Sequence, residues 1–523
     1  MATIVVDFQK IHFHPQILLS IFTVICIFVF FFMTEKPKGS RGCDLPPSPP
    51  SLPIIGHLHL LLSALPHKAF QNLSSKYGPL LRLRFFNVPV VLVSSASVAY
   101  EIFKTHDVNI SSHGHPPIDE CLFFGSSSFV VAPYGDYWRF MKKLMVTKLF
   151  GPQALERSRR ARADELERFH ANLLSKEMKG ETVQIAKEAI KLTNNSVCKM
   201  IMGRGCLEEN GEAARVRGLV TETFALVKKL FLTQVLRRLF EILGISPFKK
   251  ETLGVSRKFD ELLERILVEH DEKPDFDHGG DLMDVLLAAY RDGKAEYKIT
   301  RDHLKSLFAE LILGGTDTSA QTIEWTMAEI IKKPNILERL RKELDSVVGK
   351  TRLIQEKDLP NLPYLQAVVK EGLRLHPPAP LLGRKVPDGC TIGGCYVPKN
   401  TALVVNAYAV MRDPHSWEDP DEFKPERFLA SSSGKEEERE QELKYIPFGS
   451  GRRGCPGVNL GYIFVGTAIG MMVHCFDWRA NGDKVNMDET AAALTLNMAT
   501  RVHPLRCTPV SRMQLQKSQF VSS

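Results

Sequence analysis

Ten residues near the C-terminus, Phe448-Gly-Ser-Gly-Arg-Arg-Gly-Cys455-Pro-Gly457, restrict the architecture of this chain more than any other stretch. They admit two readings that need different folds. Gly449, Gly451 and Gly454 match G-x-G-x-x-G, a dinucleotide-binding turn. That turn requires a preceding strand and a βαβ unit of about 30 residues or more within a larger sheet. Only 66 residues follow Gly457, too few to complete a doubly wound domain, and two arginines inside the turn do not suit it. The second reading centres on Cys455. A lone cysteine is usually a small buried hydrophobe, but an apolar, helix-compatible run (Val458 to Val473) begins just after this one. A thiolate there would lie at a helix N-terminus, where free N–H groups and the macrodipole favour negative charge. Pro456 suits the first helical position because its missing N–H is an orphan anyway. The glycines let the backbone approach something flat and bulky, and Arg453 adds a cation two residues before the sulfur.

The remainder reads as mostly α with a small, segregated β region. Leu81 to Phe85 alternates and Val90 to Val93 is apolar, with Asn87-Val-Pro as the turn of a hairpin. A second strand-rich patch runs from Cys390 to Asn406. Residues 215–270 read as long amphipathic helices, and Asn335 to Val348 places its apolar residues at helical spacing. Thr300 caps a long helix that Pro334 stops. In its middle sits Gly314-Gly-Thr-Asp-Thr-Ser319. Two interior glycines cost about 1 kcal/mol each relative to alanine, and Thr and Ser there compete for backbone carbonyls. Such a local violation marks either function or a packing kink. Glu371 and Arg374 share a helix face at i, i+3, as Trp138 and Lys142 do at i, i+4. Pro274 to Gly280 reads as a loop and Ser431 to Glu442 as a polar surface insertion.

Ten cysteines are scattered without an even framework, so the body is expected to face a reducing compartment. Cys390 and Cys395 flank a hairpin with no second Cys/His pair nearby, which argues against zinc. Net charge is +8 without a dense Lys/Arg block, so nucleic acid is not an expected partner, whereas an acidic protein or an anionic lipid bilayer is. Ile17 to Met33 carries no charge and as a helix would span roughly 26 Å, short but sufficient for a thin bilayer. Lys36, Lys38 and Arg41 follow it, which places the body on the cytosolic side. Thr34-Glu-Lys-Pro-Lys38 offers no cleavage site, so a retained anchor (residues 1–36) is expected rather than a signal peptide. The proline-rich stretch within 37–56 reads as a semi-rigid extended spacer ahead of one catalytic domain, 57–523.

Phe448, Gly451, Arg453, Cys455 and Gly457 fit F-x-x-G-x-R-x-C-x-G at every fixed position. On these residues the chain resembles the cytochrome P450 family, in which one cysteine thiolate holds haem iron. Three further motifs appear in the family's order. Gly314 to Ser319 resembles the oxygen-activation motif, which implies that Thr318 hydrogen-bonds oxygen or a water, that Asp317 gates proton supply, and that the glycines make room for dioxygen and substrate. Glu371, Arg374 and Arg427, the last within Pro425-Glu-Arg-Phe428, resemble the family's buried structural triad. Trp138 and Lys142 resemble its Trp/Arg pair for a haem propionate, with lysine as a departure that keeps the charge and loses the guanidinium fork. Arg384 and Arg453 fit further propionate contacts, and Phe448 and Gly449 belong to the haem-binding loop.

The resemblance covers essentially the whole chain and is closest to plant microsomal members, notably a subfamily oxidising triterpene alcohols such as thalianol and arabidiol. It implies haem b between the long central helix and the Cys-loop helix, and a monooxygenase acting on a small lipophilic plant metabolite with O2. No flavin or NADPH domain fits in the chain, so electrons are expected from NADPH-cytochrome P450 reductase at the endoplasmic reticulum membrane. Arg139 and Lys143, one step round from Trp138 and Lys142, are expected to face outward toward that acidic partner. Alternatives are flavonoid or other phenylpropanoid oxidation, or a haem-thiolate isomerase or dehydratase that needs no oxygen. Relatives of the latter kind tend to lose the acid–alcohol pair, and Asp317 and Thr318 are both present.

Overall fold

The computed structural model describes Thr23 and residues 44–512 apart from 62–64, 87, 114–126, 204–211, 235–239, 241–244, 273–280, 430–443, 481–486 and 488–502. The anchor segment (but for Thr23), the 274–280 loop and the 431–442 insertion therefore lie outside the described residues. The longer helices are α1 (Pro66–Tyr77), α2 (Asp136–Leu144), α3 (Arg159–Met178), α4 (Ile185–Met202), α5 (Glu212–Gln234), α6 (Lys249–Glu272), α7 (Leu282–Arg291), α8 (Arg301–Lys332), α9 (Pro334–Val347), α10 (Pro363–Leu375) and α11 (Val458–Cys475). The strands are β1 (Leu80–Phe85), β2 (Val88–Val93), β3 (Val183–Gln184), β4 (Leu381–Val386), β5 (Cys390–Ile392), β6 (Cys395–Val397), β7 (Thr401–Asn406), β8 (Phe476–Ala480) and β9 (Arg506–Ser511).

The central helix α8 starts where the sequence says it must. Thr300 accepts from His303 N, and His303 Nδ1 accepts from Thr300 N at 2.9 Å, so histidine fills the capping-box position usually held by Glu or Gln. Pro334 then opens α9 at its first helical position. Along α8, Leu304 to Leu313 belong to one apolar core with α4 to α7, while Ala320 to Ile330 belong to a second with α9, α10 and the distal part of α11. The Gly314–Ser319 stretch falls at the seam between these cores. Helix α11 crosses the same seam, with Leu460 and Phe464 in the first core and Val465 onward in the second. Among the described residues α11 is the one helix long and apolar enough to cross a membrane, and 72% of that window is buried inside the protein, so it is a core helix.

The β region is segregated, as expected. One sheet runs β1-β2-β7-β4, with β2 and β7 parallel and the outer pairs antiparallel. A second runs β3-β9-β8, and β5-β6 is a hairpin. Phe85 pairs with Val88, so Val88 and Pro89 belong to the strand and not to the turn expected at Asn87-Val-Pro; Asn87 lies outside the described residues. Pro89 is a strand residue there, tolerated because β2 pairs with β7 only from Val90. Residues 44–56 do not form a free spacer. Pro46 and Pro49 are buried, Tyr396 N donates to Asp44 O at 3.0 Å and Arg82 N donates to Pro47 O at 2.8 Å. Gly56 has φ +65°, and a Cβ there would lie 2.1 Å from Arg84 O, so only glycine lets this segment close onto β1.

Candidate active site

A cavity of about 370 Å³ opens at the seam between the cores and is lined by Cys455, Phe448, Leu460 and Phe464 on one side and by Gly314 and Thr318 on the other. It lies between α8 and α11. The Cys loop is held by its own backbone: Cys455 N donates to Phe448 O at 2.9 Å and Gly454 N to Gly451 O at 3.0 Å. Helix α11 begins at Val458 with Gly457 as its N-cap, so Pro456 precedes the cap and is not the first helical residue. Burial pushes the Cys455 thiol up, opposed by the Gly457 N–H and by the Lys142 ammonium. The sulfur's remaining exposure is to the cavity. A thiolate there needs a cation facing it from the cavity.

Two of the glycines also serve packing within the chain itself. A Cβ on Gly451 (φ +71°) would lie 2.5 Å from Asp107 Oδ1 and 2.7 Å from Phe103 O, so this residue lets the loop dock on the chain's own 103–107 segment. Gly449 also needs its positive φ (+71°), but no cavity contact depends on its missing side chain. In α8 the two glycines divide the work. A Cβ on Gly315 would sit 3.0 Å from Val197 Cγ2, so this glycine seats α4, whereas one on Gly314 would meet nothing within 4 Å. Only Gly314 is free to make room in the cavity. Thr193 Oγ1 donates to Thr316 O at 2.9 Å and fixes α4 at this point. Thr318 Oγ1 donates to Gly314 O at 2.6 Å, a side-chain-to-backbone bond of the kind that perturbs helices. Asp317 does not line the cavity; its Oδ2 accepts from Gln321 Nε2 at 2.9 Å.

Trp138, Arg384 and His113 cluster around Arg453, which lines the cavity; His113 falls within Ser111 to Val131, which the sequence marks as pocket-lining, although no motif singles it out. Arg453 donates to Ser111 O (2.6 Å) and Ala132 O (2.5 Å), and its guanidinium lies 4.5 Å from the Trp138 ring centroid. Arg384 donates to Gly383 O at 2.8 Å and lies 3.3 Å from His113 Nδ1. Among the described residues neither arginine forms an ion pair. Burial lowers Arg384 to about 10; burial and then the Arg384 charge lower Arg453 to about 10. Burial, then the two guanidinium charges, pull His113 down to about 3, so it is neutral. Trp138 Nε1 is buried with no acceptor among the described residues. One buried and one half-buried guanidinium, neither in an ion pair among the described residues, beside an orphaned N–H donor form a receptor for carboxylates. That donor set fits a flat group bearing propionates, such as haem. Lys142 is aimed elsewhere: its Nζ donates to Gly454 O at 2.6 Å, and burial lowers its pKa while Cys455 raises it. It braces the Cys loop from below. Arg139 and Lys143 are exposed, and each already meets a carboxylate, Asp136 and Glu296 respectively.

Glu310 falls within Phe308 to Thr318, a stretch the sequence marks as pocket-lining, although no motif singles it out. It lines the cavity two turns before Thr318, and its Oε1 accepts from Ser128 Oγ and from Val130 N (3.2 Å). Burial raises this carboxyl to about 7, with Ser128 and the Val130 and Phe129 N–H groups opposing. Its folded pKa exceeds its unfolded one, so the folded state holds the extra proton between the two values and loses stability as pH rises toward 7. Glu310→Gln is therefore expected to stabilise the protein at pH 8 by up to about 3 kcal/mol, with a smaller gain at pH 5. Denaturant midpoints at the two pH values check this, and equal gains would exclude the buried charge as the cause.

In the Glu371–Arg374–Arg427 group the first two residues are buried and Arg427 is half-buried. Glu371 and Arg374 are 0% exposed. Arg374 uses all five N–H donors: two on Glu371 (2.7 and 2.9 Å) and three on Met411, Pro420 and Glu422 carbonyls. Glu371 Oε1 also accepts from Lys424 N and from Arg427 Nε at 3.1 Å. The apolar stretches expected from sequence to line a pocket are Ser111 to Val131, 215–240, Phe308 to Thr318, Ala379 to Leu382 and the region near Leu496; 114–126 and the last of these lie outside the described residues. Met145, Val197 and Met200 also line the cavity.

The cytochrome P450 family model matches residues 46–502. Cytochrome P450 705A22 of Arabidopsis thaliana is 64% identical over 514 residues, covering 98% of each chain. 3,9-Dihydroxypterocarpan 6A-monooxygenase of Glycine max is 37% identical over 512 residues, covering 95% of this chain and 98% of the relative. A zebrafish cytochrome P450 solved with abiraterone superposes with a TM-score of 0.68 at 24% identity, covering 86% of this chain and all of that one.

Proposed function

The chain belongs to the cytochrome P450 family and is a haem-thiolate monooxygenase, and on that premise we propose that it oxidises a triterpene alcohol at the cavity between Cys455 and Thr318. One observation carries the assignment of roles: Cys455, in the loop just before α11, and Thr318 of α8 line the same cavity. Haem held there by Cys455 supplies dioxygen binding and transfer of one oxygen atom to carbon. In this reading Trp138, Arg384, Arg453 and His113 receive the propionates, and Lys142 holds the Cys loop in place through Gly454 O. Phe448 covers the sulfur side and Gly449 provides the turn. Thr318 donates to Gly314 O at rest; by breaking that bond its hydroxyl turns to the cavity, passes its proton there and takes another onto its oxygen from a water. Asp317, tied to Gln321, exchanges that proton with solvent by releasing Gln321. Glu371, Arg374 and Arg427 hold the scaffold and take no part in chemistry.

The substrate assignment rests on the subfamily resemblance and on an apolar cavity; its size is within the range of small-molecule sites. The Glycine max relative, whose name specifies a pterocarpan, supports phenolic substrates as a second reading. Electrons come from a separate NADPH-dependent reductase, and residues 1–36 anchor the protein in the endoplasmic reticulum membrane with the body in the cytosol.

Thr318→Ala tests the mechanism. Alanine is the better helix former, so fold and haem content are expected to survive. NADPH consumption is expected to continue while product falls roughly tenfold to a hundredfold and hydrogen peroxide rises. Unchanged coupling of NADPH to product would remove Thr318 from the proton path. Turnover of a triterpene alcohol panel against a flavonoid and pterocarpan panel separates the two substrate readings.

A further inference from the structure

Glu310 is the one carboxyl among the described cavity-lining residues, and the mechanism above does not use it. Its Oε1 is occupied by Ser128 and Val130, while its Oε2 is buried and has no hydrogen-bond partner among the described residues. A buried carboxyl oxygen without a partner costs free energy that a bound donor recovers. Glu310, Gly314 and Thr318 follow at i, i+4 and i+8, so all three lie along one side of α8 and all line the cavity. Between the two polar residues, the position at Gly314 is open: an added Cβ would meet nothing within 4 Å. The three residues form a trough with an acid at one end, an open floor and the Thr318 hydroxyl at the other.

We propose that the free oxygen of Glu310 accepts a hydrogen bond from the substrate's hydroxyl and is the residue that selects an alcohol from otherwise similar apolar molecules. The proposal rests on the triterpene-alcohol reading above and adds geometry to it. Eight helical residues rise roughly 12 Å. The oxidised carbon, held beside Thr318, therefore lies on the order of 12 Å from the hydroxyl that Glu310 holds. A rigid molecule of several fused rings bridges that distance, and a single ring does not. Because the acceptor is otherwise unpaired, an analogue without the donor leaves it stranded, the circumstance in which discrimination is largest.

The test uses the full chain, haem-loaded in microsomes at pH 8. The probes are thalianol, its O-methyl ether and its ketone, titrated by their shift of the haem Soret band. The alcohol is expected to bind wild type roughly tenfold or more tighter than the ether. Glu310→Leu is expected to abolish that preference while leaving ether affinity in place. Glu310→Gln guards against a folding failure, since its amide oxygen still accepts from Ser128 and Val130. It presents N–H where the free oxygen was, so its preference is expected to turn from the alcohol to the ketone. Equal binding of alcohol and ether to wild type, or an alcohol preference that survives both substitutions, overturns the role of Glu310 while leaving the substrate class standing. Failure of all three probes to bind wild type overturns the substrate class and the anchor with it.

Discussion

Cys455→Ser yields a protein with no thiolate-type carbon monoxide difference spectrum and no oxygenation of substrate. A neutral hydroxyl does not replace the sulfur donor, so the expected loss is complete and not partial. The loop itself should survive, because the bonds that shape it are backbone ones, Cys455 N to Phe448 O and Gly454 N to Gly451 O. Far-ultraviolet circular dichroism is accordingly expected to match wild type, which separates loss of the ligand from loss of the fold. Retention of the spectrum would remove Cys455 as the axial ligand.

Glu371→Gln is expected to cost about 3–5 kcal/mol of stability, the range for stripping one partner from a buried ion pair. The Arg374 guanidinium would remain fully buried with its charge uncompensated, and Arg427 and the Lys424 N–H would lose a charged acceptor. Denaturant unfolding of the haem-loaded protein measures the change. The exposed Arg139–Asp136 pair has the same i, i+3 spacing and provides the control. Asp136→Asn is expected to cost under about 1 kcal/mol. Similar losses from both substitutions would mean that burial does not separate the two pairs.

Those two pairs mark the limit of reading by spacing. Glu371 with Arg374 and Asp136 with Arg139 are indistinguishable as i, i+3 patterns, and only packing makes one a scaffold and the other a surface contact. The presence of Pro-Glu-Arg-Phe at 425–428 gave the chain's sole hint of burial, through a resemblance and not through periodicity.

By itself the sequence determined the local geometry. The start of α8 at Thr300, its end before Pro334, the Gly393–Gly394 turn between Cys390 and Cys395 and the Cys loop ahead of an apolar helix all follow from backbone preference and 3.6-residue periodicity. These depend on residues a few positions apart, so a linear string contains them. The tertiary structure decided what each special residue faces. Gly451 makes way for Asp107 and Phe103, Gly315 for Val197, and Lys142 reaches Gly454 instead of standing with Trp138. His113 and Glu310 entered the site through partners 271 and 182 residues away, Arg384 and Ser128. Local sequence fixes dihedral angles and the side of a helix that is apolar. Which buried oxygen or cation lies across the cavity is fixed only when distant segments pack, because no short-range preference encodes a contact of that separation.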